Sequence, residues 1–256
     1  MCSDCGRREW EVAGVIYLVR HGQTEWNADG DRFCGSSDIS LSSVGLLQAQ
    51  RLGRLLGAVS LAAVYHSGMQ RSRDTAAAIV REQGGAGGAG GAGGSALDRD
   101  SADHALAVNP LVGRESPAVA QETNAALMEE RDFREVDFGA WEGLSKQQAA
   151  VCDPQIYAAW LSQPGTTAIP GAAQAAAAQR RALAAIRRVA ARHGAEHVAI
   201  VGHSTLNRLL LTGLLDAPID SYRRIVQYNA CVNMIAVHGD AVHIYGVNMT
   251  TLPTAF

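Results

Sequence analysis

Two short apolar runs in this 256-residue chain end in the same kinds of residue. Val15–Val19 (VIYLV) runs into Arg20-His21-Gly22, and His197–Val201 (HVAIV) runs into Gly202-His203-Ser204. Arg71 follows shortly after a third such run, LAAVYH at 61–66. Adjacent strand residues face opposite ways, so Arg20 and His21 share a task only where the chain bends out of the strand. Guanidinium forks take phosphate oxygens through paired, charge-assisted hydrogen bonds, and a second arginine neutralises the remaining charge. Phosphoryl transfer asks mainly for positioning and charge stabilisation. A neutral imidazole beside such cations can attack phosphorus and hold it covalently. One Arg-His pair reads equally well as two solvated loop residues. Two histidines at matching strand ends, with arginines nearby, favour a site.

Such a site needs elements that bring the strand ends together. Leu41–Leu56 repeats apolar residues at helical spacing through Leu46, Leu47, Leu52, Leu55 and Leu56, with Ser42 or Ser43 as N-cap. Leu61–His66 reads as a second strand and Met69–Arg81 as a second helix. Periodicity resumes over 125–135, and Leu144–Val151 and Gln155–Leu161 read as short helices closed by Pro164 and Pro170. Ala172–Arg192 is an alanine-rich helix whose arginines are expected to be mostly solvated. His197–Val201 is a third buried strand, followed by a helix over Leu206–Leu215. Cys231–Val237 and Val242–Val247 read as strands separated by HGDA. The alternation predicts an α/β fold with a parallel sheet covered by helices. In such sheets ligands bind beyond the carboxyl ends of the strands, where both histidines fall.

Composition narrows the classes. With 47% hydrophobic residues and a net charge of −3, the chain reads as globular, and nucleic acid is not expected as a partner. No apolar stretch is long enough to span a membrane, since 172–191 carries Arg180, Arg181, Arg187 and Arg188. The five cysteines are scattered and odd in number, which predicts a cytoplasmic protein without a disulfide framework. Cys2 and Cys5 form a lone CxxC in a loose tail, residues 1–13. Gly194 separates His193 from His197, so no metal site is expected there. The run GGAGGAGGAGG at 84–94 lacks the lysine and following helix of a P-loop, and reads as a linker. A single domain over 14–256 is therefore expected, carrying a glycine-rich surface insertion at about 84–124.

Longer blocks carry a family resemblance. RHGQTEWN, with RFCGSSDISLSSVGLLQAQ after it, resembles the signature of the histidine phosphatase superfamily, also called phosphoglycerate mutase-like. HSGMQRSRDTA (66–76), REVDFGAWEGL (134–144) and VAIVGHSTLNRLLL (198–211) continue the match in family order. The resemblance implies a three-layer α/β/α fold with a mostly parallel central sheet. It implies that His21 is the nucleophile that becomes phosphorylated, with Arg20, Arg71 and His203 lining the phosphate pocket and Asn27 contacting the same group. Glu135 matches the acid–base glutamate, with Glu129, Glu130, Asp137 and Glu142 as nearby competitors. The backbone amide of Ser204 is placed to face the phosphate, because Ser204 opens the helix after His203. His66 matches no pocket position and is assigned a packing or capping role. Trp26, Trp141 and Trp160 either shape the cleft or, as is usual for tryptophan, pack the core.

The sequence departs from the family pattern twice. Pro170-Gly171-Ala172-Ala173 stands where many members carry a PGGES-like stretch, and Cys34 stands where glutamine or threonine is common. FGAWEGL and the carboxyl-terminal QYNACVNMIAVHGDAVHIYGVNMTTLP resemble the phosphatase branch. The resemblance therefore implies a metal-independent phosphomonoesterase acting on a small phosphorylated metabolite, with no cofactor, as a monomer or homodimer. A cofactor-dependent mutase is the alternative, followed by a non-catalytic phosphate-binding protein.

Overall fold

The computed structural model describes residues 14–84 and 125–253. The tail, the lone CxxC and the glycine-rich insertion beyond Gly84 lie outside the described residues. Among the described residues six strands form one sheet: β1 (Ile16–Arg20), β2 (Leu61–His66), β3 (Ala126–Glu129), β4 (His197–Gly202), β5 (Val232–His238) and β6 (Ala241–Met249). Their spatial order is β3-β2-β4-β1-β5-β6, with the first four parallel and the last two an antiparallel hairpin on β1.

Strand alternation splits the central residues between two cores. Ile16 and Leu18 of β1 pack with Ile200 of β4 into one cluster, whereas Val15, Tyr17 and Val19 join Ala199 and Val201 on the opposite face. Among the described residues seven helices accompany the sheet: α1 (Glu25–Ala28), α2 (Ser43–Leu56), α3 (Gln70–Gln83), α4 (Lys146–Cys152), α5 (Pro154–Ser162), α6 (Ala175–His193) and α7 (Ser204–Leu214). Leu52 and Leu56 of α2 and Ile79 of α3 cover one face, and Ile186 of α6 with Leu209 of α7 cover the other. This is the expected three-layer α/β/α arrangement. A third cluster, Phe33, Phe138, Trp141 and Trp160, packs loops over the carboxyl edge of the sheet.

Several boundaries differ from the sequence reading for local reasons. Ser42 caps α2 by accepting from the Gly45 amide, but Leu46 and Leu47 point to solvent; Gly45, Ala49, Leu52, Gly53 and Leu56 form the buried face. The periodic segment around 125–135 contains an edge strand followed by a 3-10 turn at Arg131–Phe133. Helix α6 begins three residues later than expected, because the Ala173 amide is already donated to the Asp137 carbonyl. Helix α7 begins two residues earlier, at Ser204, and this shift bears directly on the site.

Candidate active site

Sheet register brings the two histidines together. Arg20 pairs with Gly202 across β1 and β4, so His21 and His203 leave the sheet side by side, with ring centroids 5.1 Å apart. His66 pairs with Val201 on the other side of β4, which sets the start of α3, and hence Arg71, at the same edge. Helix α2 closes in from beneath. A Cβ at Gly22 would stand 2.5 Å from the Gly45 carbonyl oxygen, so glycine after His21 permits this close approach. A cavity of about 180 Å³ opens here, with Arg20, His21, Arg71 and Glu135 on its wall.

The hydrogen bonds fix both imidazole tautomers. His21 is buried, and its Nδ1 lies 2.6 Å from the Gly22 carbonyl oxygen, which can only accept. Nδ1 therefore carries the proton, and Nε2 keeps its lone pair. At His203 the roles reverse: Arg71 Nε–H can only donate, so Nδ1 accepts at 3.3 Å, and Nε2–H donates to Ser67 Oγ at 2.8 Å. Burial, then the charges of Arg71 and Arg20, hold His21 well below its ordinary 6.5. Burial, then Arg71, His21 and Arg20, does the same to His203. Both rings are neutral at neutral pH.

Arg20 and Arg71 hold charge against the same wall in different ways. Arg71 is fully buried and donates through Nη1 to the Ser37 carbonyl, through Nη2 to the Gly35 carbonyl and through Nε to His203. Three of its five N–H groups are used and two remain. Arg20 donates through Nη1 to the Gln227 carbonyl at 2.6 Å, while its Nε is buried with no partner among the described residues. An unsatisfied buried donor costs on the order of 1–3 kcal/mol, and a charged one more, so an acceptor placed here would relieve a cost. His203 differs from its expected place. It is not on the cavity wall but lies fully buried behind His21, with both ring nitrogens committed to Ser67 and Arg71.

Glu135 is held by the start of α7. Its Oε2 accepts from the Thr205 amide at 3.0 Å, and Oε1 accepts from the Leu206 amide at 2.9 Å and its own Val136 amide at 3.0 Å. The first amides of a helix have no internal partners, so the early start of α7 supplies two donors to this carboxylate. Three of about four acceptor positions are filled, leaving one on Oε2. Arg181 anchors the same loop by donating to the carbonyls of Asp132 and Arg134, at 2.6 and 2.9 Å. It is thus an exception to the solvated face of α6, where Arg180, Arg187, Arg188 and Arg192 are exposed. The competing carboxylates are placed elsewhere. Glu129 pairs with Arg131, Glu130 with Arg188, Asp137 caps the Gly139 amide, and Glu142 binds Ser36 and Ser37. Of these five, Glu135 alone lines the cavity.

Asn27 lines the cavity, with its Oδ1 engaged by the Thr24 amide and Asn229 Nδ2, and Ser204 lines it at the first turn of α7. His66 accepts from the Gly68 amide, a capping role. Trp141 is fully buried in the loop cluster, Trp160 reaches the cavity wall, and Trp26 packs at Gly143. Cys34 lines the cavity too, and burial pushes its thiol up. The 170–173 stretch lies off the cavity wall, bonded to Ala140 and Asp137, so the changed residues there do not touch the space where a ligand would sit. Sequence reasoning missed Arg208, Tyr222 and Arg223, all on the wall. Arg208 follows Ser204 by four residues on α7, a spacing that places both on one helix face.

The depressed histidines make stability depend on pH. Between the lowered folded value and 6.5, the unfolded chain binds more protons than the folded one, so stability rises with pH through that window. It is fully present above about 6.5 and lost as pH falls, by at most about 1.4 kcal/mol per unit for each histidine. Thermal midpoints measured from pH 7 to pH 5 are expected to fall, and to fall less steeply in His21→Asn. Parallel curves for the two proteins would contradict the assigned neutral state.

Comparison with known proteins agrees with this geometry. The model of the Histidine phosphatase superfamily (branch 1) matches residues 16–86 and 116–250, and the chain belongs to that family. It is 26% identical over 238 residues to a metal-independent phosphoserine phosphatase of Arabidopsis thaliana, covering 92% of this chain and 78% of the relative. It is 27% identical over 221 residues to 2-carboxy-D-arabinitol-1-phosphatase of Triticum aestivum, covering 86% of this chain but 36% of that longer protein. The solved structure of Bacillus stearothermophilus YhfR superposes with a TM-score of 0.73 at 26% identity, covering 93% of this chain and 98% of that one.

Proposed function

We propose that the protein is a phosphomonoesterase that hydrolyses a small phosphorylated metabolite through a phosphohistidine at His21. The observation that carries this reading is the locked, neutral His21 with its Nε2 lone pair free beside the unsatisfied Arg20 donor and the buried Arg71. In the first step Nε2 attacks phosphorus while the ester P–O bond breaks, and Glu135 acts as the general acid that delivers a proton to the departing oxygen. In the second, water attacks phosphorus, Glu135 takes its proton, and the P–N bond breaks to release phosphate. Arg20 and Arg71 meet the growing charge on the equatorial oxygens. Ser204 and Asn27 contact the phosphate from the cavity wall. His203 positions Arg71 from behind.

Relatives named as phosphoserine and carboxyarabinitol phosphatases support hydrolysis of a small ester, and the cavity of about 180 Å³ suits one. The described residues build one sheet covered on both faces, which supports a single domain interrupted by the segment at 85–124. No helix in the described residues is long and apolar enough to cross a membrane. Cys34, Cys152 and Cys231 are free thiols, which supports a reducing, cytoplasmic setting.

The cations on the cavity wall are arginines and a lysine, and one relative is named as metal-independent. Hydrolysis of p-nitrophenyl phosphate is therefore expected to continue undiminished in EDTA. Loss of activity in the chelator, restored by a divalent ion, would refute the scheme.

A further inference from the structure

The cavity carries more positive charge than one phosphate uses. Besides Arg20 and Arg71, its wall holds Arg32, Lys146, Arg208 and Arg223. Arg32 is paired with Asp29, and Lys146 with Asp31. Neither remaining arginine has a carboxylate partner among the described residues. Arg223 lies 4.2 Å from the Trp160 ring centroid and makes a long 3.4 Å bond to the Trp160 carbonyl. The Arg208 guanidinium makes no hydrogen bond among the described residues, and its Nε is buried without a partner. Glu135 makes no hydrogen bond to it; that carboxylate accepts from the Thr205, Leu206 and Val136 amides instead. A buried guanidinium donor left unpaired is costly, and a ligand acceptor removes the cost.

These two arginines reach the cavity from other elements than the phosphate set, Arg208 from α7 and Arg223 from the 3-10 segment Ile219–Arg224. Arg208 stands four residues along α7 from Ser204, a rise of about 6 Å. Its charge bears on Glu135, Tyr222 and Arg223 and reaches Arg20, whereas the arginine charges that bear on His21 are those of Arg71 and Arg20. Tyr222 is buried on the same wall with its phenol pushed up to about 12, so it remains a protonated donor. Arg208 follows on α7 directly after the Thr205 and Leu206 amides that hold Glu135, which puts it on the Glu135 side, where the leaving group departs.

The geometry points to a second anion subsite formed by Arg208 and Arg223, which selects phosphomonoesters whose leaving group carries its own oxyanion, a carboxylate or a second phosphate. This rests on the phosphatase reading above and narrows it to a substrate class. Arg208 is the specificity-determining residue, and Arg223, stacked on Trp160, supplies the second fork.

The test uses matched pairs. 3-Phosphoglycerate and glycerol 3-phosphate differ by a carboxylate in place of a hydroxymethyl group; fructose 1,6-bisphosphate and fructose 6-phosphate differ by a second phosphate. The wild-type full chain is expected to favour the anionic member of at least one pair in kcat/KM, on the order of tenfold to a hundredfold. Which pair shows the preference tells carboxylate from phosphate. In Arg208→Gln the ratio is expected to collapse toward one, and Arg208→Lys to restore part of it. A wild-type ratio near one for both pairs overturns the subsite, as does an Arg208→Gln protein that loses activity on both members while keeping the ratio. Calorimetric Kd values for the same ligands, taken on His21→Ala, test the subsite without turnover. A preserved Kd preference with no hydrolysis of any ester by wild type would sink the phosphatase reading alone.

Discussion

Arg71→Ala is expected to lower kcat/KM for p-nitrophenyl phosphate by about 10²–10³, or roughly 3–4 kcal/mol, the scale for losing one preorganised charge-stabilising donor. The side chain is fully buried and ties the Gly35–Ser37 loop to His203, so its loss also leaves two carbonyls and an imidazole nitrogen without their donor. The signature that separates charge loss from simple loosening is the pH profile. Arg71 helps hold His21 below its ordinary value, so removing it raises the His21 pKa and protonates the nucleophile sooner as pH falls. The variant is therefore expected to lose proportionally more activity at pH 5 than at pH 8. Arg71→Lys keeps the charge but not the fork, and falls between. A uniform loss across pH, with the acid limb unmoved, would contradict the coupling.

His21→Ala is expected to abolish measurable turnover, a fall on the order of 10⁴-fold or more, the range seen when a nucleophile is removed. Binding should respond differently. Arg20 keeps its open Nε and Arg71 keeps its spare donors, since neither is held in place by His21. Inorganic phosphate is expected to bind His21→Ala with a Kd within about tenfold of wild type, because the charge-assisted bonds that hold it come from the arginines. Retained turnover would mean that phosphorus is attacked by another group. A complete loss of phosphate binding would mean that His21 supports the pocket rather than the chemistry.

Much of this arrangement was legible in the residues themselves. VIYLV and HVAIV are short, β-branched and bounded by Gly or Arg-His, so their place as central parallel strands follows from composition. Arg20, His21, Arg71 and Glu135 were picked out by motif and do converge on one cavity wall. The edge strand Ala126–Glu129 gave a weaker signal, because its Leu127 is exposed among the described residues and breaks the usual alternation. Leu46 and Leu47 fit a helical period yet face solvent, since glycine and alanine rather than leucine let α2 approach the Arg20–Gly22 turn. Arg208 and Arg223 were hidden for a different reason. They reach the cavity from the second turn of α7 and from the 3-10 segment Ile219–Arg224, and only the fold juxtaposes them. His203 shows the reverse case: its position is conspicuous in sequence, but its burial behind His21 depends on side-chain bonds to Ser67 and Arg71.

The most direct test of the phosphohistidine is rapid-quench trapping with a substrate labelled in its phosphate group, followed by mapping of the labelled peptide. The account predicts a label that survives base, is lost in acid, resides on His21 and is missing from His21→Ala. A label that survives acid, maps to another residue or persists in His21→Ala would contradict it.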